Sequence, residues 1–301
     1  MLKIAFHPIY IHPLPDGHRF PMLKYELIYL QLLYEGVIEK DSFFEPEIAD
    51  IQTACLAHDP MYIQHLFDLS IDAKMQRRIG FPLSKELVMR ECQILDGTIK
   101  GAEFALHHGV SFNIAGGTHH AGFDFGEGFC LINDQAVAAK YLLKKGYAKR
   151  VLIVDLDVHQ GNGTAHIFQD ASDVFTFSMH GDKNFPFIKE KSHLDIALED
   201  GVADEVYLSL LRVNLENVID SFKPDFVFYQ AGVDILETDK LGKLKVSSLG
   251  CKARDYLVFG LCKERNLPVQ VSMGGGYSPQ VKDIVNAHVE TFKAAIDIYD
   301  F

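Results

Sequence analysis

The feature that most restricts this chain is an alternation. Short apolar runs, "KIAFH", "SFNIAGG", "VLIVDLD", "VFTFSMH", "FVFYQAG" and "VQVSMGGG", are separated by longer stretches with helical periodicity, among them "INDQAVAAKYLLKKG", "LGCKARDYLVFGLCKERN" and "SPQVKDIVNAHVETFKAAIDIY". Strand-length runs alternating with helices predict an α/β fold: a central, mainly parallel sheet with helices on both faces. No internal repeat, low-complexity tract or Pro/Gly/Ser-rich linker divides the 301 residues, so a single domain over 1–301 is expected.

Parallel α/β sheets carry their sites just beyond the carboxyl ends of the strands. The polar residues of this chain follow that rule. Thr118, His119 and His120 come after "SFNIAGG", Asp155, Asp157 and His159 after "VLIV", Asp234 after "FVFYQAGV" and Tyr277 after "VQVSMGGG", while "VFTFS" runs into Met179 and His180. Strand alternation puts Asp155, Asp157 and His159 on one side. A buried, unpartnered carboxylate costs several kcal/mol, so two of them together require compensation, and a divalent metal is the simplest source. An Asp-x-Asp that merely caps a turn is the other reading of that stretch taken alone.

Composition removes several classes. With 48% hydrophobic and 23% charged residues the chain can bury a large core in the manner of ordinary globular proteins. A formal net charge of −12, with no Lys/Arg run, argues against direct nucleic-acid binding, and an acidic surface tolerates a cationic substrate. Cys55, Cys92, Cys130, Cys251 and Cys262 show no C-x-x-C spacing and read as reduced thiols rather than a disulfide framework. The first residues lead straight into strand-like sequence and no window approaches the roughly 18 uninterrupted apolar residues of a membrane span, so a cytoplasmic protein is expected.

Asp157, His159 and Asp234 offer one nitrogen and two carboxylates, a set that suits Zn²⁺ with positions left open for water and substrate. Zinc polarises a carbonyl and lowers the pKa of its water to about 7, which points to hydrolysis of an amide or ester. His119 and His120 can act as base and acid, with Asp155 as orienter. The glycines of "MGGGY", Gly275 among them, let backbone approach a ligand, and Tyr277 can donate to an oxyanion; a glycine-rich turn with a packing aromatic is the alternative. His107 and His108, before Gly109, read as helix C-terminal residues, as do His58, His65 and His288. The loop "HPLPDGHRFPM" is expected to border the site mouth, with His12 and His18 as ordinary loop residues.

"GGTHHA", "GFCLIND", "VDLDVHQGNGT", "AGVDILETDKLG" and "SMGGGY", in that order and over most of the chain, resemble the histone deacetylase family of the arginase/deacetylase fold. The Gln160–Gly163 stretch "QGNG" looks closest to the class IV group and the short bacterial proteins near it. The resemblance implies one zinc on Asp157, His159 and Asp234, with His119 and His120 as the tandem pair. It implies Asp155 behind His119, Asn162 behind His120 and Tyr277 on the scissile carbonyl. Gly128 and Phe129 would wall an acyl-lysine tunnel, facing Phe185, and a structural potassium ion would sit on carbonyls of Asp155, Asp157, His159 and Met179 with the Ser178 hydroxyl.

Arginases share that fold but hold two manganese ions. Gly161, Thr118 and the single carboxylate of "AGVD" stand where a binuclear site needs acids, which leaves a mononuclear zinc deacylase. The leading expectation is removal of acyl groups, acetyl or longer fatty acyl, from lysine side chains of proteins or peptides. Deacetylation of small amines such as acetylpolyamines is the runner-up, and a non-catalytic binding protein on the same scaffold is the third reading.

Overall fold

A computed structural model describes residues 2–301. Eight strands form one sheet: β1 (Lys3–Ala5), β2 (Phe43–Phe44), β3 (Val110–Asn113), β4 (Val151–Asp155), β5 (Val174–Gly181), β6 (Leu194–Leu198), β7 (Phe226–Gln230) and β8 (Val269–Ser272). Their order is β2-β1-β3-β8-β7-β4-β5-β6, and every pairing is parallel. The central strands are buried throughout their length, which is why "VLIVD" and "FVFYQ" read as continuous rather than alternating apolar runs.

The helices are α1 (Lys24–Tyr34), α2 (Ile51–Ala54), α3 (Pro60–Phe67), α4 (Ala73–Ile79), α5 (Lys85–His108), α6 (Asp134–Lys145), α7 (Asn162–Phe168), α8 (Asp204–Phe222), α9 (Ser248–Glu264) and α10 (Val281–Tyr299). α5 packs on β1, β3 and β8 and against α6, while α1, α10, α9 and α8 touch in succession. Caps set the boundaries: Ser84 Oγ accepts from Leu87 N–H at the start of α5, and Gly109, at φ +86°, ends it. His107 and His108 fill the last turn of α5, as expected, and His65 that of α3.

His58 and His288 are not helix C-terminal residues. His58 is a buried bridge ahead of α3, with Nδ1 on the Gly122 carbonyl and Nε2 accepting from Asn133 N–H, and His288 is buried in the middle of α10.

The strand order explains how distant sequence segments meet. β8 and β7 insert between β3 and β4, so the segments leaving β3, β8, β7 and β4 emerge side by side at one edge of the sheet. This is the crevice that a doubly wound sheet opens where its strand order reverses.

Candidate active site

Strand β4 ends at Asp155, so simple alternation does not carry on to Asp157 and His159. They lie on the bend that follows, where Leu156 and Val158 are buried, and they still join Asp155 at one site. Asp155 Oδ1 accepts from the Asp157 N–H (3.1 Å), and Asp234 Oδ1 accepts from the Val158 N–H (2.9 Å), which locks the β4 and β7 ends together. His159 Nδ1 lies 3.0 Å from Asp157 Oδ1 and 3.1 Å from Asp234 Oδ2. One ligand atom from each of Asp157, His159 and Asp234 falls within 4.8 Å of the others, and all three residues are buried.

This group fits a metal. Burial opposes charge on His159, but its hydrogen bonds to Asp157 and Asp234 outweigh it and lift the imidazole to about 10, while burial beside Asp157 raises Asp234 to about 7. A cluster that must hold protons to be neutral is one that a divalent cation can neutralise instead. Gly275 closes the cluster from below. Its N–H donates to Asp157 Oδ2 (2.8 Å), and a Cβ there would lie 2.0 Å from Asp234 Oδ2, so the "MGGGY" backbone approaches the carboxylates themselves. At Gly161 a Cβ would stand 2.3 Å from Asp155 Oδ2, so a side chain there would have to displace the Asp155 carboxylate.

The paired histidines are held by different partners. His119 Nδ1 is 2.7 Å from Asp155 Oδ2; burial disfavours its cation, but Asp155 and Asp157 overcome that and raise it to about 8. His120 Nδ1 is 2.6 Å from Asn162 Oδ1, and burial, with His119 and His159 nearby, pushes it well below the usual imidazole value. Asn162 Nδ2 donates to Glu127 Oε2 (3.1 Å), so its oxygen faces His120 and His120 Nδ1 carries the proton. Glu127 Oε1 in turn accepts from Arg78 Nε at 3.2 Å.

Backbone anchors fix the "GGTHH" loop. Asp134 Oδ1 accepts from the N–H groups of Gly117 and Thr118, both at 2.9 Å, and Gln230 Nε2 donates to the Gly117 carbonyl at 2.7 Å. Tyr277 is 8% exposed, its N–H donates to Asp239, and its ring stands 6.2 Å from that of His159. Gly128, at φ +56°, separates His120 from Phe185: a Cβ there would meet His120 Cδ2 at 2.6 Å and Phe185 Cε1 at 3.2 Å. Phe129 packs near Tyr277 (6.3 Å), and Phe185 near His120 (5.0 Å). Ser178 Oγ lies 2.9 Å from His180 Nδ1, in the strand beside Asp155.

Several residues of the site fall outside the motif positions assigned a role from sequence. Glu127 directly precedes the motif "GFCLIND" and Asp239 lies inside "AGVDILETDKLG", so a carboxylate in or beside a motif was the available signal. Lys24 gave none: it is fully buried, donates to the Gly274 carbonyl (2.8 Å) and lies 5.8 Å from the centre of the Tyr277 ring, and burial pulls its ammonium to about 8 against Asp234 and Asp157. The N-terminal loop does border the mouth, through Arg19 and Phe20, whose ring is 6.0 Å from that of Tyr277, and His18 Nε2 lies 2.9 Å from the Gly80 carbonyl.

A buried Asp/His/Asp group beside an imidazole pair, at the carboxyl edge of an eight-stranded parallel sheet, defines a hydrolase of the arginase/deacetylase fold. Residues 18–292 match the Histone deacetylase domain, and the chain belongs to the histone deacetylase family. It is 45% identical over 296 residues to an uncharacterized protein of Picosynechococcus sp., covering 98% of this chain and 99% of that one. It is also 29% identical to Histone deacetylase 2 of Arabidopsis thaliana (91% of this chain, 73% of that one) and 32% identical to Histone deacetylase clr6 of Schizosaccharomyces pombe (87% and 69%). The fold matches a crystal structure of an HDAC homolog complexed with SAHA, with a TM-score of 0.83 and 25% identity over 99% of this chain and 88% of that one.

Proposed function

We propose that the protein is a zinc-dependent deacylase acting on acyl-lysine side chains of proteins or peptides. The observation that carries this reading is the asymmetry of the imidazole pair next to a group fitted to a cation, since amide hydrolysis needs a base for water and an acid for the amine at one carbonyl. A zinc ion held by Asp157, His159 and Asp234 would supply Lewis acidity to the carbonyl and to the attacking water.

The chain's own groups account for the remaining requirements. His120, with Nδ1 committed to Asn162, keeps Nε2 to receive the water proton, and its depressed pKa keeps it neutral. His119, favoured as the cation by Asp155, offers a proton for the leaving amine. The Tyr277 hydroxyl, which has no hydrogen-bond partner among the described residues, is available to the developing oxyanion. Gly128, Phe129 and Phe185 form the walls against which a lysine stem would pack. A potassium ion on the carbonyls of Asp155, Asp157, His159 and Met179 with Ser178 belongs to the same reading. No helix of the described residues is long and apolar enough to cross a membrane, and five free cysteines agree with a cytoplasmic setting.

The test is a panel of lysine peptides carrying acyl groups from acetyl to myristoyl. Release of free lysine peptide by the zinc-loaded protein is expected. Zinc-loaded protein that cleaves none of them, while hydrolysing acetylspermidine or nothing at all, overturns the reading.

A further inference from the structure

The site opens to the surface through a cavity of ≈ 480 Å³ whose floor is His120, His159 and Tyr277. Its rim carries Arg19, Arg78, Lys183 and Lys243, and no Asp or Glu lines it. That sign is unexpected in a chain with 41 acidic and 29 basic residues. The four cations come from four separate segments: the loop before α1, the last turn of α4, the loop after β5 and the segment between β7 and α9.

Their partners leave most of the charge facing the opening. Arg78 is matched by Glu127, which supports Asn162. Lys183 is 68% exposed, with Asp200 Oδ2 at 3.8 Å. Lys243 Nζ donates to the Lys183 carbonyl (3.1 Å), and the Arg19 guanidinium stands 5.0 Å from the centre of the Phe129 ring; neither has a carboxylate within 4.0 Å among the described residues. Phe187, 86% exposed, adds an apolar surface to the same rim.

Resting on the acyl-lysine reading, we infer that this rim selects acyl-lysines lying in acidic segments of protein substrates. A lysine stem that fills the tunnel leaves its peptide backbone and neighbouring residues at the mouth, where Arg19, Lys183 and Lys243 meet flanking carboxylates. Cationic small amines are disfavoured by the same charges, so the acidic net charge does not describe the surface a substrate meets. Each exposed ion pair is worth a factor of about 1.4 to 5, and three together about 3- to 100-fold. The effect appears in KM, because the rim does not touch the carbonyl, and it weakens with salt.

The experiment uses acyl-lysine peptides of one acyl type with Asp, Ala or Lys on both sides of the modified lysine. Binding is read by fluorescence anisotropy and hydrolysis by kcat/KM, at low salt and at about 0.5 M NaCl. The expected result is a preference of about tenfold for Asp over Lys flanks at low salt, within the roughly 3- to 100-fold range of three exposed pairs. It should shrink toward parity at high salt and fall or invert in the Lys183→Glu/Lys243→Glu variant. Hydrolysis of all peptides with equal KM, or faster cleavage of Lys-flanked peptides, overturns the rim proposal and leaves the deacylase reading standing. Charge-graded binding without any hydrolysis does the reverse, and neither overturns both.

Discussion

His119 and His120 are consecutive, their rings are 4.1 Å apart, and yet the structure treats them oppositely. His119 turns inward to Asp155, a strand-end carboxylate whose other oxygen is held by the Asp157 N–H. His120 turns outward to a neutral amide at the start of α7, behind which Glu127 and the half-exposed Arg78 lead to the surface. Two identical buried side chains thus become a cation-favouring and a neutral imidazole, because Asp155 and Asp157 overcome burial at His119 while burial, with His119 and His159 nearby, prevails at His120; such a pair of separated titrations is how one site can supply both an acid and a base. The neutral amide does not act alone, because its orientation is fixed by a carboxylate one step further out, Glu127.

The sharpest way to break this comparison is to remove each ring separately. His120→Ala should lower kcat about 10³- to 10⁴-fold, the upper range for a general base, and His119→Ala about 10²-fold. Equal losses in steady-state kinetics would erase the distinction between them. Tyr277→Phe, which touches neither imidazole partner, should cost about 10²- to 10³-fold in kcat with KM nearly unchanged. A rise in KM at constant kcat would assign Tyr277 to uniform substrate binding instead.

Exchanging the partner should move a pH profile rather than a rate. Asn162→Asp places a carboxylate on His120 and favours its protonated form, so the limb on which kcat/KM falls with acid should shift to higher pH by about one unit or more. Because Glu127 Oε2 is 3.1 Å from the Asn162 amide, the comparison is cleanest in a Glu127→Gln background, where two carboxylates do not face each other. A limb that stays, or moves to lower pH, would remove His120 as the titrating base. Glu127→Gln alone should be the mildest change, a loss of about two- to tenfold in kcat from looser orientation of the amide. No loss at all would make the outer carboxylate a surface ion pair only.

Much of this site was legible in the sequence because the chemistry sits at strand ends, and strands buried on both faces announce themselves as apolar runs. His119, His120, Asp155, Asp157, His159, Asp234 and Tyr277 lie at the carboxyl edge of the sheet, as the alternation implied, whereas Asn162 at the start of α7 was pointed to only by the family resemblance. The edge strands were not legible: β2 has two residues, and β6, "LDIAL", is partly exposed and polar enough to read as loop. Gly275 illustrates another limit, since sequence gives a glycine's freedom but not which neighbour it admits, here the Asp157 and Asp234 carboxylates. Lys24 and the Arg78–Glu127–Asn162 chain depend on contacts between segments far apart in sequence, which no local pattern encodes.

The proposed function depends most on a single catalytic zinc held by Asp157, His159 and Asp234. Metal analysis of the purified protein and of Asp234→Ala, run beside hydrolysis of an acetyl- or longer acyl-lysine peptide, tests it most directly. The expected result is one zinc per chain in the native protein, with most of the metal and the hydrolysis lost together in the variant. Two ions per active chain, or an Asp234→Ala protein that keeps both its zinc and its turnover, would contradict it.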